Sequence, residues 1–274
     1  MEKFRMSNAV ETYVPVENIE CRYCSGKTIL YWRSLSFWRC PSCRLIFRHP
    51  LPETESVIEL YVNSWTAPYK NRSETGGTSI NLARIYARKI AESLGVTDFR
   101  GLKILDFGAG RGDALIALSE LGADVYGVEP FGYQRLLNMG FKAFRTLDDI
   151  PAGLTFDGIV TMDVVEHLGS PWLEIGRFNL LLNEGGFVYI STPNADSLRA
   201  RIQGERWREA LRAGHFVLFT GNSLENILDR SGYKNRKRLK WYIQYNKSMV
   251  QNVLGYILQS VLIDGELRYL IRKS

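Results

Sequence analysis

Apolar positions along this chain fall into two rhythms that alternate from about residue 102 onward. Leu102–Phe107, Asp124–Val128, Lys142–Arg145, Phe156–Met162 and Phe187–Ile190 read as strands. Between them runs helical spacing such as Ala114, Leu115, Ala117, Leu118 and Leu121. The alternation predicts an α/β protein with a doubly wound sheet, whose ligands bind at the carboxyl ends of its strands. Upstream, Leu82, Ile85, Tyr86, Ile90 and Leu94 mark one face of a helix that starts near Ser79 and stops at Gly95. Glu53–Tyr61 also reads as helical, and Tyr69–Thr78, with Gly76-Gly77, as a mobile stretch able to fold over a bound ligand. Near the other end, Met249-Val250, Val253-Leu254, Ile257-Leu258 and Val261-Leu262 recur nearly every turn within Lys247–Ile263. That pattern predicts a strongly amphipathic helix, packed on the sheet or a second copy, or else walling a greasy ligand or touching a membrane surface.

Composition narrows the picture. At 274 residues, 45% of them hydrophobic, the chain has one or two domains and enough apolar material for a full core. No apolar run reaches membrane-spanning length and Met1–Glu20 has no signal-peptide core, so a cytoplasmic protein is expected. The net charge of +6 is a mild basic bias. Arg230, Lys234, Arg236, Lys237, Arg238 and Lys240 form either a solvated face or a patch for phosphates; with the amphipathic helix they make 230–263 a candidate peripheral membrane contact.

The 4 cysteines are more decisive. Cys21 and Cys24, then Cys40 and Cys43, form two C-x2-C knuckles at zinc-ribbon spacing, which would complete a tetrahedral S₄ site for a structural Zn²⁺. Two disulfides are the alternative, disfavoured in a reducing cytosol. Around the knuckles, Tyr23, Tyr31, Trp32, Phe37 and Trp38, with Arg22, Arg33 and Arg39, either stack on nucleic acid or form the thin core such a ribbon needs.

The strongest chemical signal follows the first strand of the α/β region: Ile104-Leu105-Asp106-Phe107-Gly108-Ala109-Gly110-Arg111-Gly112-Asp113. Alternate glycines let the backbone pass beneath a ligand where a Cβ would collide, and the next helix points its free N–H groups at the same spot. A dinucleotide fingerprint would need a glycine at 113, which is Asp113. The third glycine is Gly112, and Asp106 precedes the first by two. This D-x-G-x-G-x-G run resembles motif I of the class I S-adenosylmethionine (SAM)-dependent methyltransferases, where an acid can be linked to the ammonium of SAM. Glu129, at the end of the next strand, stands where an acid receives both ribose hydroxyls.

Two further segments extend the resemblance. Phe156–Met162 followed by Asp163-Val164-Val165-Glu166-His167-Leu168 is similar to the small-molecule branch that includes quinone-biosynthesis O-methyltransferases. Leu181–Asn194, a helix end, Gly185-Gly186 turn, buried strand and Pro193-terminated loop, matches the fifth strand of that fold. A ribbon, the linker His49-Pro50-Leu51-Pro52 and a SAM-binding core in this order resemble bacterial methyltransferases often associated with sugar, polysaccharide or lipid-linked substrates. The resemblance implies a Rossmann-like, doubly wound, seven-stranded sheet with a small N-terminal zinc ribbon, and final strands near 233–241 and 265–272. It divides the chain into a lead-in and ribbon (1–52), linking helices covering the cofactor site (53–101) and the SAM-binding core (102–274).

On the same resemblance, SAM is held by Asp106, Gly108, Gly110, Gly112 and Glu129, with Leu147 and Asp148 clamping adenine and Met162 and Asp163 near the methionine portion. Methyl transfer is an in-line displacement in which the protein aligns the acceptor, excludes water and takes a proton. Of the 3 histidines, His49 lies in the linker. His167 and His215 follow the fourth and fifth strands and are the candidate catalytic residues, against a capping or core role for each. The expected acceptor is a small molecule: a sugar, lipid-linked glycan, quinone-like ring or natural product. An RNA methyltransferase gripping its strand with the ribbon is one alternative, opposed by Met162-Asp163-Val164-Val165 where base-amine enzymes carry an aromatic Pro-Pro loop, and by the modest charge. A non-catalytic scaffold is the other.

Overall fold

The computed structural model describes residues 19–51, 80–241 and 265–273. The expectations of helices at 53–61 and 247–263 and of mobility at 69–78 therefore lie outside the described residues, as does most of the candidate membrane contact at 230–263. Among the described residues no helix is long and apolar enough to cross a membrane.

Seven strands form the main sheet. β4 (Lys103–Phe107), β5 (Asp124–Val128), β6 (Lys142–Phe144), β7 (Phe156–Met162) and β8 (Leu182–Pro193) run parallel. β11 (Glu266–Arg272) pairs antiparallel with β8, and β10 (Asn235–Arg238) with β11. The order is β10-β11-β8-β7-β4-β5-β6. The chain moves outward from β4 through β5 to β6, then returns to lay β7 on the other side of β4. This reversal opens a crevice at the carboxyl ends of β4 and β7. The predicted strands, the two C-terminal ones included, are all present.

α1 (Ile80–Leu94) and α2 (Asp113–Glu120) pack together, and α4 (Pro171–Leu181) lies beside α7 (Gly221–Arg230). The buried stripe of α1 is Ala83, Tyr86, Ala87, Ile90 and Ala91, whereas Ile85 is exposed. The face is rotated from the one the large side chains mark, because alanines let α1 approach the sheet and α2 closely. At the far edge, Arg84 forks onto both carboxylate oxygens of Glu120, at 2.7 and 2.6 Å.

A second sheet of four strands belongs to the ribbon: β1 (Ile29–Trp32), β2 (Phe37–Arg39), β3 (Ile46–Arg48) and, unexpectedly, β9 (Val217–Leu218) from the α/β region. Ile46 pairs with Leu218 and Phe47 with Val217. Tyr23 donates to the Asn226 carbonyl at 3.0 Å and its ring lies 5.4 Å from Trp172. Cys21, Trp38, Cys40, Cys43, Leu45 and Phe47 share one buried cluster with Val217, Phe219, Leu224 and Ile227. The ribbon on one side of residue 52 and the α/β region on the other thus share buried apolar packing.

Gly158 within β7 lies under the Phe187 ring, where an added Cβ would come within 2.3 Å of Cζ. Gly176, inside α4, has only Ser231 Oγ at 3.9 Å. Gly158→Ala is expected to destabilise the protein by about 1–3 kcal/mol through overpacking. Gly176→Ala should be neutral or stabilising by up to about 1 kcal/mol, since alanine favours helix. Urea unfolding of both variants checks the pair.

Candidate active site

The glycine loop connects β4 to α2 in a tight left-handed path, with φ of 81° at Gly108, 54° at Gly110 and 84° at Gly112. Each glycine is required for a different reason. A Cβ on Gly108 would fall 2.3 Å from a methyl of Val164, in the loop after β7. One on Gly112 would meet Leu136 at 3.0 Å. At Gly110 the nearest atom would be the Gly108 carbonyl at 3.8 Å, so the space above it is open.

Two acids face this loop. Asp106 is 2% exposed, and its Oδ2 has no hydrogen-bond partner among the described residues. Burial, with Glu129 nearby, pushes its pKa up to about 8. Glu129, at the end of β5, accepts the Gly110 amide at 2.9 Å and the Phe131 amide at 3.1 Å. Its pKa is raised by burial, partly offset by these amides. A buried, unpartnered carboxylate beside an open backbone loop fits a cationic, hydroxyl-bearing ligand such as SAM.

The loop after β7 presses on the glycine loop through Val164. It begins with Asp163, whose φ of 54° is left-handed and whose amide donates to Ser191 at 3.0 Å. Although Asp163 keeps accessible surface, crowding by protein raises its carboxyl to about 7, with Glu266 and Glu209 adding to the effect. Glu166, 1% exposed, accepts from Thr192 Oγ1 at 2.8 Å, while its Oε1 has no partner among the described residues. Burial first, then Asp163, raises its pKa well above the usual carboxylate value.

His167 and His215 meet edge to face, ring centroids 4.6 Å apart. A carbonyl can only accept, so His167 donates from Nδ1 to Gly214 at 2.8 Å and carries its lone pair on Nε2. Burial lowers its pKa to about 4, and lowers that of His215 further, with His167 adding to the fall. Glu166, His167 and His215 each bring a ligand-type atom within 4.8 Å of the others. The two rings do not share one exposure: His167 is partly accessible, whereas His215 is 1% exposed and stands in the interior.

Of the other expected residues, Met162 packs against the α1–α2 cluster. Leu147 is buried in the core, and Asp148 is exposed and paired with Arg177. His49 is exposed. Sequence reasoning singled out the histidines and passed over Glu166, because an acid is seldom fully buried and nothing in the local pattern marks this one as an exception.

At the ribbon, each knuckle closes on a left-handed residue, Ser25 (φ 57°) and Arg44 (φ 61°), whose amides donate to Cys21 and Cys40 at 2.8 Å. The Cys21 and Cys43 sulfurs are 3.6 Å apart and those of Cys24 and Cys40 3.5 Å. All four lie within 4.8 Å of one another. These separations approach the ~3.8 Å edge of a tetrahedron with metal–sulfur arms of about 2.3 Å, far from a disulfide bond of about 2.05 Å. Phe37 and Trp38 are buried, and Tyr31 and Trp32 pack against the buried Phe37 cluster.

The reversed parallel sheet and the acid-flanked glycine loop define a nucleoside-binding α/β protein. A family model described as a methyltransferase domain matches residues 80–238, and the chain belongs to that family. It is 31% identical over 121 residues to a ubiquinone biosynthesis O-methyltransferase of Cereibacter sphaeroides, covering 40% of this chain and 49% of that one. It is 30% identical over 106 residues to its namesake from Mesorhizobium japonicum, covering 35% and 43%. The chain thus spans about half the length of these curated relatives. Among solved structures, a Burkholderia thailandensis 1,6-didemethyltoxoflavin-N1-methyltransferase with bound S-adenosylhomocysteine superposes with a TM-score of 0.53 at 16% identity, covering 85% of this chain and 97% of that one. A Thermotoga maritima SAM-dependent methyltransferase gives 0.54 at 13%, covering 80% and 99%. At such identities the likeness is one of fold.

Separate tasks for Gly108 and Gly110 have separate consequences. Gly110→Val is expected to weaken S-adenosylhomocysteine binding by more than about a hundredfold, near 3 kcal/mol, with unfolding still cooperative. Gly108→Ala should instead lower stability by about 1–3 kcal/mol by forcing Val164 aside. Calorimetric titration and thermal unfolding of both variants distinguish these outcomes.

Proposed function

We propose that the protein is a SAM-dependent methyltransferase acting on an acidic hydroxyl of a small, quinone-like ring. The observation that carries this reading is the contact of Val164 with Gly108, which sets the Glu166–His167 loop directly against the loop suited to the cofactor. SAM supplies an activated methyl group on a sulfonium. Asp106 would hold its ammonium and Glu129 its ribose hydroxyls, with the Gly108–Gly112 backbone beneath.

The acceptor proton falls to His167, the more accessible ring, which is neutral near pH 7 and has its lone pair on Nε2. An imidazolium near 4 lies about six pK units below a phenol and about twelve below an aliphatic hydroxyl, if the latter resembles water. That gap favours an acidic ring hydroxyl over a sugar alcohol. His215 is the inner ring against which His167 is held. The curated relatives, named for ubiquinone biosynthesis, support the same acceptor class. The inward-turned ribbon aromatics argue against an RNA platform, and in the basic run Arg230 stacks on Tyr23 while Arg236 pairs with Asp229.

Calorimetry should give tighter binding for SAM than for NAD; the reverse order would sink the assignment. With labelled SAM, a catechol is the expected acceptor in a panel that also holds a nucleotide-sugar and ribosomal RNA. Preferred methylation of the sugar would restore the sugar or lipid-linked acceptor, and of RNA the nucleic-acid reading. His167→Ala is expected to lower turnover by about a hundredfold or more, the scale of a lost general base, while SAM affinity stays within about threefold.

The ribbon sulfurs are proposed to hold one structural Zn²⁺. A closed S₄ site has no coordination position left for chemistry, and its folding free energy depends on the metal. Elemental analysis should find one zinc per chain, and Cys40→Ser should release it and lower the unfolding temperature. A metal-free wild type, or an unchanged melting curve in the variant, would remove the metal from the fold.

A further inference from the structure

Arg48 ends β3 and is the last regular residue of the ribbon. Its amide donates to the Phe216 carbonyl at 2.9 Å, continuing the pairing of β3 toward β9. Its side chain reaches four more carbonyls. Nε donates to His215 at 2.9 Å, Nη1 to Leu35 at 3.0 Å, and Nη2 to Ala210 at 2.8 Å and Arg212 at 3.3 Å. The guanidinium carbon sits 4.5 Å from the centroid of the buried Phe37 ring, which fixes the plane of the fork. Three of these carbonyls belong to 210–215, which leaves the short helix α6 (Arg208–Leu211) and carries both His215 and Gly214. The Gly214 carbonyl in turn accepts the Nδ1 proton of His167 at 2.8 Å. Opposite, the Phe216 amide donates to the Glu166 carbonyl at 2.8 Å.

We infer that Arg48 is the positioning residue of the histidine pair: by gathering the carbonyls of Ala210, Arg212 and His215 onto one planar cation, the ribbon fixes where Gly214 meets His167 and so which nitrogen of His167 keeps its lone pair. The proposal deepens, and rests on, the reading that His167 serves the acceptor. A side chain that merely glued ribbon to core would be redundant, because β3–β9 pairing, the Tyr23–Asn226 bond and the shared apolar cluster already do that. The bonds of Arg48 go instead to carbonyls at the end of α6 and in the segment leading to β9, where Arg212 also accepts the His215 amide at 3.1 Å. Lysine, a point charge with no rigid fork, cannot bind three separated carbonyls in one plane.

The test uses the whole 274-residue protein as purified, labelled with ¹⁵N at histidine, where only 3 ring systems are present and His49 is an internal control. In the wild type, His167 should show a single Nδ1–H tautomer. Arg48→Met should average its two ring-nitrogen signals and speed amide exchange over 213–217 by about tenfold or more. His49, zinc content and S-adenosylhomocysteine affinity should be unchanged, the last within about threefold. Arg48→Lys, which keeps the charge, should recover part of the single-tautomer signal, and stands in if the methionine variant does not fold. Turnover on catechol should fall in Arg48→Met with KM for SAM unaltered. Histidine spectra of both variants indistinguishable from wild type would overturn the proposal. If the Arg48→Met spectrum averages but His167→Ala keeps full turnover, the positioning role stands and the catalytic reading of His167 falls.

Discussion

Val164 occupies the space in which any residue other than glycine at 108 would carry its Cβ. Through that contact the loop after β4 and the loop after β7 lock at the crevice the strand reversal opens. It fixes two distances together: from the glycine backbone to whatever lies on it, and from that ligand to Glu166 and His167, two and three residues further on. The glycines of one motif therefore do different work. Gly108 yields to a protein side chain, Gly112 to Leu136, and Gly110 to open space. A motif commonly read as a single cradle here has one position open to space between two packing positions.

The same crevice gathers carboxyls that burial holds above their ordinary range: Asp106, Glu129 and Glu166. The linkage sign follows. A carboxyl whose folded pKa exceeds its unfolded value binds more protons when folded, so the ligand-free protein loses stability as pH rises from about 4 toward those raised values. A cation bound against Asp106 reverses that cost by favouring its ionised form. The region is destabilised in the direction its ligand corrects, as expected where a site is built for binding rather than for stability.

Much of this was legible because it is local. The Asp106–Gly112 run, the strands from β4 to β8 and the cysteine knuckles each depend on residues a few positions apart, and each appeared where its pattern put it. What escaped depends on long-range partners. The two-residue strand β9 has no pattern of its own and exists because β3, about 170 positions earlier, offers an edge. Arg48 looks like an ordinary basic residue before a linker until its carbonyl partners are in place. The burial of His215 and the rotated face of α1 follow from packing geometry, which hydrophobic spacing does not encode when alanines line the contact.

A ribbon this small has too little apolar surface to fold alone, and its buried cysteines and aromatics share a cluster with α7 and β9. Fixing the knuckles therefore also fixes β3, and β3 is what the 210–218 segment leans on. That segment crosses from α6 to β9 with the His215 amide on the Arg212 carbonyl and the Phe216 amide on the Glu166 carbonyl. Bonds from Arg48 tie the ribbon to the same stretch, a route from the knuckles to Gly214 and His167 that does not pass through the glycine loop. The two halves of the crevice are thus stiffened from different sources: the glycine loop by the parallel sheet, the histidine side by the ribbon.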